Sequence, residues 1–142
     1  MLAQTNAILV LIGRRHGLHP ADDFAAAQHE AMMQHCEDLR GHVGPTIRIK
    51  DEAEKRGARE ALVASCLPVW GHNAEKQLGE GSFFAGDKLH VVDLKLYLAV
   101  RWFVGGKVDY IPATIFAGYP KLTAIHDAVR DHAGVKSWYA KG

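Results

Sequence analysis

An all-α fold is what this sequence predicts, and three features carry the prediction. Apolar residues recur at three- and four-residue intervals over most of the chain, no stretch alternates with the two-residue period of a strand, and glycine or proline stands between the periodic runs. At 142 residues the chain is of single-domain size, enough to bury roughly 68–70% of its unfolded surface.

The elements follow in order. Residues 4–16 are periodic, end in Arg14, Arg15 and His16, and meet Gly17, a helix stop. Pro20, Asp22 and Asp23 open a longer helix, with acids where the positive end of its dipole favours them. Phe24, Met32, Cys36, Leu39 and Val43 give its apolar spacing, and Gly44-Pro45 closes it. A long helix is expected from about Asp51 to Leu78, its stripe formed by Val63, Cys66, Leu67, Trp70, Ala74 and Leu78. Pro68 should kink that helix. Gly79, Gly81 and Gly86 mark a loop. Val91–Val104 is apolar on nearly every side, interrupted mainly by Asp93, Lys95 and Arg101, and reads as a fully buried central helix. A last amphipathic helix, Tyr119–Ala133, turns Leu122, Ile125 and Val129 inward.

The start of the central helix has an independent signature. With His90 as N-cap, Asp93 falls at N3, where its carboxylate reaches back to the N-cap amide. The same register puts Leu89 at N′ and Leu94 at N4, a hydrophobic staple. An imidazole caps less well than a hydroxyl, so His90→Thr is expected to raise stability within the usual cap range of ~0.5–2 kcal/mol.

Composition narrows the function classes. Hydrophobic residues at 48% and charged residues at 23% are ordinary for a globular protein. A formal charge of +1 gives no reason to expect a nucleic acid or an anionic membrane as partner. The longest aliphatic run, Ala7 to Ile12, is far short of the roughly 20 residues that span a bilayer, and Arg14 and Arg15 follow it instead of preceding it as in a signal peptide. Cys36 and Cys66 form no CxxC and read as small buried apolar residues, kept as thiols in a reducing cytoplasm. Nine histidines raise the question of a metal, but Met33 stands where an HExxH motif begun at His29-Glu30 needs its second histidine. His16/His19 and His126/His132 lack a third ligand, so the histidines are read as lying on solvated helix faces. Lys50–Glu60 mixes charge signs and reads likewise as a solvated face.

Several segments together resemble one family. Gln4-Thr5-Asn6-Ala7-Ile8-Leu9 resembles the Gln-Ser-Asn-Ala-Ile-Leu segment of glutathione S-transferases. Phe83-Phe84-Ala85-Gly86-Asp87 followed by Asp93-Leu94-Lys95-Leu96-Tyr97 is similar to the Phe-x-Gly-Asp…Ser/Thr-x-x-Asp signature of their C-terminal domains. Val108-Asp109-Tyr110-Ile111-Pro112 and Tyr119-Pro120-Lys121-Leu122 resemble stretches of sigma-like members, and Glu37-Asp38-Leu39-Arg40 one of pi-like members. The resemblance runs from Gln4 to about Tyr139. It implies a helical bundle around a buried central helix, with residues 1–17 as the remnant last helix of a thioredoxin-like domain and residues 18–142 as the helical domain. In the family a whole thioredoxin-like domain precedes the Gln-Ser segment; here three residues do. The expectation is therefore a transferase half without its catalytic half.

The resemblance also assigns residues. Thr5 and Gln4 take the places that hold the γ-glutamyl end of glutathione, at a helix N-terminus that favours an anion; the alternative is that Thr5 only caps a helix. Asp38 takes the place of an acid that reaches the glutathione amine bound in the neighbouring subunit, a bond of ~1.5–3 kcal/mol. Its alternative is an exposed helical acid near Arg40. Arg40 and Pro45 lie where relatives line the acceptor pocket. No catalytic residue is assigned. Lowering a thiol pKa by two units needs about 2.7 kcal/mol of thiolate stabilisation, and Tyr97, Tyr110, Tyr119 and Tyr139 do not match the family's activating position.

The function implied is glutathione conjugation to a hydrophobic electrophile, with this chain as acceptor-site and dimerisation domain, inactive alone, and with glutathione as substrate and no cofactor. The alternative is a non-catalytic interaction module of the same fold. The face of Ala7, Ile8, Leu11 and Ile12, left without a sheet to cover it, predicts aggregation or a partner. A third reading is a carrier of small apolar ligands.

Overall fold

Helix α5 (Val91–Val104) is the axis on which the other elements are arranged. The structure is a computed structural model that describes residues 2–141. Before α5 in the chain come α1 (Thr5–Arg15), α2 (Asp23–Ile47), α3 (Glu52–Ala64) and α4 (Cys66–Gln77), and after it α6 (Pro120–Asp131) and α7 (Ala133–Tyr139). Among the described residues no strand forms, only one isolated bridge between Phe83 and Gly86. The all-α expectation holds.

Helices α2 and α6 flank α5, while α3 and α4 pack on α2 and α1 crosses the N-terminal ends of α2 and α5. The core is the meeting of four stripes: Met32, Met33, Cys36 and Leu39 of α2, Leu67, Trp70 and Ala74 of α4, Val92, Leu96 and Val100 of α5, and Leu122, Ile125 and Val129 of α6. Each large side chain buried there contributes about 1.5–3 kcal/mol. Among the described residues no helix is long and apolar enough to cross a membrane.

Local signals explain most boundaries. Gly17 adopts φ 66°, and the Leu18 amide donates to the Gly13 carbonyl at 2.7 Å, the six-residue closure of a Schellman motif. Asp22 and Asp51 accept from Ala25 and Glu54 amides at 2.8 Å and start α2 and α3.

The structure corrects several boundaries. Helix α2 runs through Gly44-Pro45 to Ile47. The one bond Pro45 forfeits is to Gly41, which is solvent-exposed, so its carbonyl is not shut away from water. The expected helix from Asp51 to Leu78 is two helices, parted at Ser65 (φ −130°, ψ −86°). Pro68 thereby sits at the third position of α4, where its missing N–H has no intrahelical use. The last helix ends at Asp131, because His132 turns extended and its Nδ1 accepts from the Gly134 amide at 3.2 Å, capping a short α7. Phe24 is exposed rather than inward. Nor is α5 covered on every side: Leu98, Trp102 and Val104 stand about half exposed, since helical periodicity does not say which faces receive a neighbour.

Candidate functional site

At the start of α1 the backbone turns through φ 73° at Gln4, and Thr5 is the first helical residue; both are exposed. No side chain caps this end. The first-turn amides thus have no side-chain acceptor. Asn6, in the same turn, buries its Oδ1 without a partner.

Asp38 lies elsewhere, on an open cleft of about 1020 Å³ between α2 and α4. Gln34, His35 and His42 share its α2 wall, and Cys66, Val69 and Trp70 form the facing one. The two acids of the Glu37-Asp38 pair behave differently. Glu37 accepts from Lys95 of α5, whose side chain is only 8% exposed, and from Arg40 at 3.1 and 3.2 Å. Lys95 first, and Arg40 after it, hold the Glu37 carboxyl below the usual carboxylate range. Arg40 is therefore bonded to Glu37 and not to Asp38, whose carboxylate makes no hydrogen bond or ion pair with any described residue. A helix places successive residues about 100° apart, which is why one acid faces the core lysine and the next faces the cleft.

Gln4 and Thr5 line neither this cleft nor a second, smaller one, so the chain does not bring them together with Asp38. Arg40 and Pro45 line neither cleft.

Cys66 is half-buried, and burial pushes its own thiol up; Cys36 is sealed in the core and pushed up to about 12. Tyr119 donates its hydroxyl to the Pro68 carbonyl at 2.8 Å and Tyr110 donates to Glu52, which together with burial pushes the Tyr110 phenol up.

The segment Leu89–Leu94 forms a structural joint. Asp93 is wholly buried and accepts from the His90 amide through Oδ2 and from the Phe84 amide through Oδ1, each at 2.7 Å. Burial pushes its carboxyl up, against the pull of those two amides. His90 Nδ1 donates to the Lys88 carbonyl at 2.9 Å, and Leu89 and Leu94 pack half-buried on the core.

Four histidines depart from the solvated-face expectation: His19, His29, His90 and His126 are buried. The His29 ring meets His90 edge-on at 4.9 Å and His19 at 5.8 Å, under α1. These residues are far apart in sequence and no periodic pattern links them. Among the described residues no group of three His, Cys, Asp or Glu side chains has metal-binding geometry. Arg59, read as part of a solvated face, is buried too.

A family model described as glutathione S-transferase, C-terminal domain, matches residues 37–142. The chain belongs to that family. This glutathione S-transferase domain is also similar to solved structures over nearly all of its length. Prostaglandin synthase D of Nilaparvata lugens superposes with a TM-score of 0.84 at 21% identity, over 99% of this chain and 68% of that one. The pi-class glutathione S-transferase of Onchocerca volvulus gives 0.77 at 22%, over 99% and 65%. A glutathione transferase homologue from Sulfitobacter, solved with bound glutathione, gives 0.72 at 25%, over 99% and 68%. The glutathione S-transferase domain thus spans about two thirds of each of these proteins.

Proposed function

We propose that this chain supplies the helical half of a glutathione transferase, contributing the acceptor-side wall and the dimer face. The observation that carries the reading is Asp38: an exposed acid without a partner on an open cleft, beside a Glu37 fully engaged by Lys95 and Arg40. In this proposal Asp38 receives the ammonium group of a glutathione held mainly by a neighbouring subunit, while Thr5, Gln4 and the α1 N-terminus receive the γ-glutamyl carboxylate of their own. Their separation within one chain agrees with that division, because the two ends would serve different ligand molecules. Each charge-assisted bond would contribute ~1.5–3 kcal/mol. Arg40 and Pro45 would border the electrophile. Glutathione is a substrate here, no cofactor is needed, and two free cysteines suit a cytoplasmic protein. No residue of this chain matches the family's thiol-activating position, so in this reading the chain alone binds without conjugating.

Isothermal titration with reduced glutathione, on a sample of known oligomeric state, tests this. Millimolar or tighter binding that is weakened by Thr5→Ala and by Asp38→Ala supports it. A folded dimer with no detectable binding favours a second reading, a non-catalytic interaction module. That reading draws on the outer face of α1, where Ile8, Leu11 and Ile12 stand 39, 39 and 45% exposed.

A further inference from the structure

The second cavity, of about 350 Å³, lies where the last turn of α2, the first half of α3, the end of α5 and the loop after it converge. One side is apolar: Ile47 and Trp102, 57 and 49% exposed, over Val43 and Val108. The other side carries Lys55, Arg59 and Lys107 against a single acid, Asp109.

Arg59 is the unusual member. It is 4% exposed, yet its nearest carboxylate oxygen, on a largely exposed Asp109, is 3.7 Å away. Its position is fixed by neutral acceptors. Nε donates to Thr46 Oγ1 at 3.0 Å and Nη1 to the Asp109 carbonyl at 2.9 Å. Thr46 is itself oriented, since its hydroxyl donates to the Val43 carbonyl at 2.7 Å and leaves its oxygen free to accept. The loop bends so that the Asp109 carbonyl meets Arg59: Tyr110 takes φ 61°, costly for a side chain of that size, and is held by the Arg56 guanidinium 4.6 Å from its ring centre and by its bond to Glu52. The ion pair with a largely exposed Asp109 offsets only part of the cost of burying this guanidinium. Its third nitrogen, Nη2, has no hydrogen-bond partner among the described residues. Lys55 is paired with Glu52 at 3.4 Å, whereas Lys107 makes no ion pair with a described residue.

We propose that this cleft is a binding site for small aromatic carboxylates, with the carboxylate between Arg59 and Lys107 and the ring against Trp102 and Ile47. The size is at the low end of the range for small-molecule sites, and a preorganised cation beside an apolar wall selects an amphipathic monoanion over inorganic phosphate. The site is separate from the Asp38 cleft and does not depend on the glutathione reading.

The test uses 2-naphthoate and its neutral isostere 2-naphthamide, titrated calorimetrically into the full chain. Lys107→Gln and Trp102→Ala, both at exposed positions, serve as variants, their fold checked by circular dichroism. The expected result is saturable binding of the acid, at least about tenfold weaker for the amide, with each variant weakening the acid by about fivefold or more. Equal affinity for acid and amide, affinities unchanged in both variants, or no binding of the acid up to about 10 mM would each overturn the proposal.

Discussion

His35 and Trp70 bond each other's backbones: the indole Nε1 donates to the His35 carbonyl at 2.7 Å, and the imidazole Nε2 faces the Trp70 carbonyl at 3.1 Å, with the two rings stacked 5.0 Å apart. Because the Trp70 carbonyl only accepts, the His35 proton sits on Nε2. This reciprocal pair rivets α2 to α4 under the Asp38 cleft. Trp70→Phe keeps the stack and loses one bond, leaving the His35 carbonyl short of an acceptor's partner. A loss of about 1.5 kcal/mol is expected, read as a lower urea midpoint at unchanged slope.

Acid should loosen the packing beneath α1. His29 is fully buried, and burial, followed by the nearby His90 and His19, lowers its pKa to about 4 from an ordinary 6.5. The folded state therefore holds His29 neutral while the unfolded chain takes up a proton below 6.5. Stability is full above that pH and falls as pH drops from 6.5 toward 4; burial lowers the His19 pKa as well, which acts in the same direction. Between pH 7 and 5 the expected loss from His29 is of order 1–2 kcal/mol. His29→Leu should flatten that part of the pH–stability curve in chemical denaturation. An unchanged slope would mean that His29 is not the group that titrates.

Lys95 and Glu37 should respond asymmetrically to substitution. Glu37→Gln leaves a buried ammonium facing a neutral amide and should cost about 2 kcal/mol. Lys95→Met removes the buried charge and leaves Glu37 with Arg40, and should fall within about 1 kcal/mol of the parent. Paired urea titrations decide it, and equal costs would count against the buried-charge account.

His90→Thr, which cap preference alone would make stabilising, is expected here to destabilise. The ring is 9% exposed, packs edge-on against His29 and donates to the Lys88 carbonyl. Losing those contacts outweighs a better cap, and a fall of about 1 kcal/mol is expected by thermal or chemical melting. A higher melting temperature would restore the capping argument.

Periodicity and punctuation made most of the helices legible, because Leu67, Trp70, Leu122 and Val129 advertise their shared faces locally. Where helices ended was less legible. Pro45 and Pro68 are both helix breakers by type, yet one is carried through a last turn open to water and the other is absorbed into a first turn. His132 acts as a cap although imidazoles are poor ones. The candidate site was legible as a set of residue types, but Asp38's freedom depends on Lys95, 57 positions away, which occupies its neighbour Glu37 together with Arg40. Arg59 lay hidden for the same reason: in a run of mixed charges nothing local distinguishes the one residue that folds inward onto Thr46.

The first turn of α5 holds two other stretches of the chain, residues 13–19 and the loop at Phe84. Val91 gives its amide to the carbonyl of Leu18, Asp93 holds the amide of Phe84, and the α-carbon of Gly13 rests so near His19 and Val91 that an added methyl would lie 3.0–3.2 Å from their side chains. The stem on which α1 stands is thereby fastened to the molecule's axis through a pivot with almost no play. Its apolar outer face is presented at one attitude, and a body seated there would inherit its tilt from the first turn of the central helix. A methyl at Gly13 would act as a wedge in that pivot, re-aiming everything borne by α1 while leaving the distant cleft of Asp38 as it was.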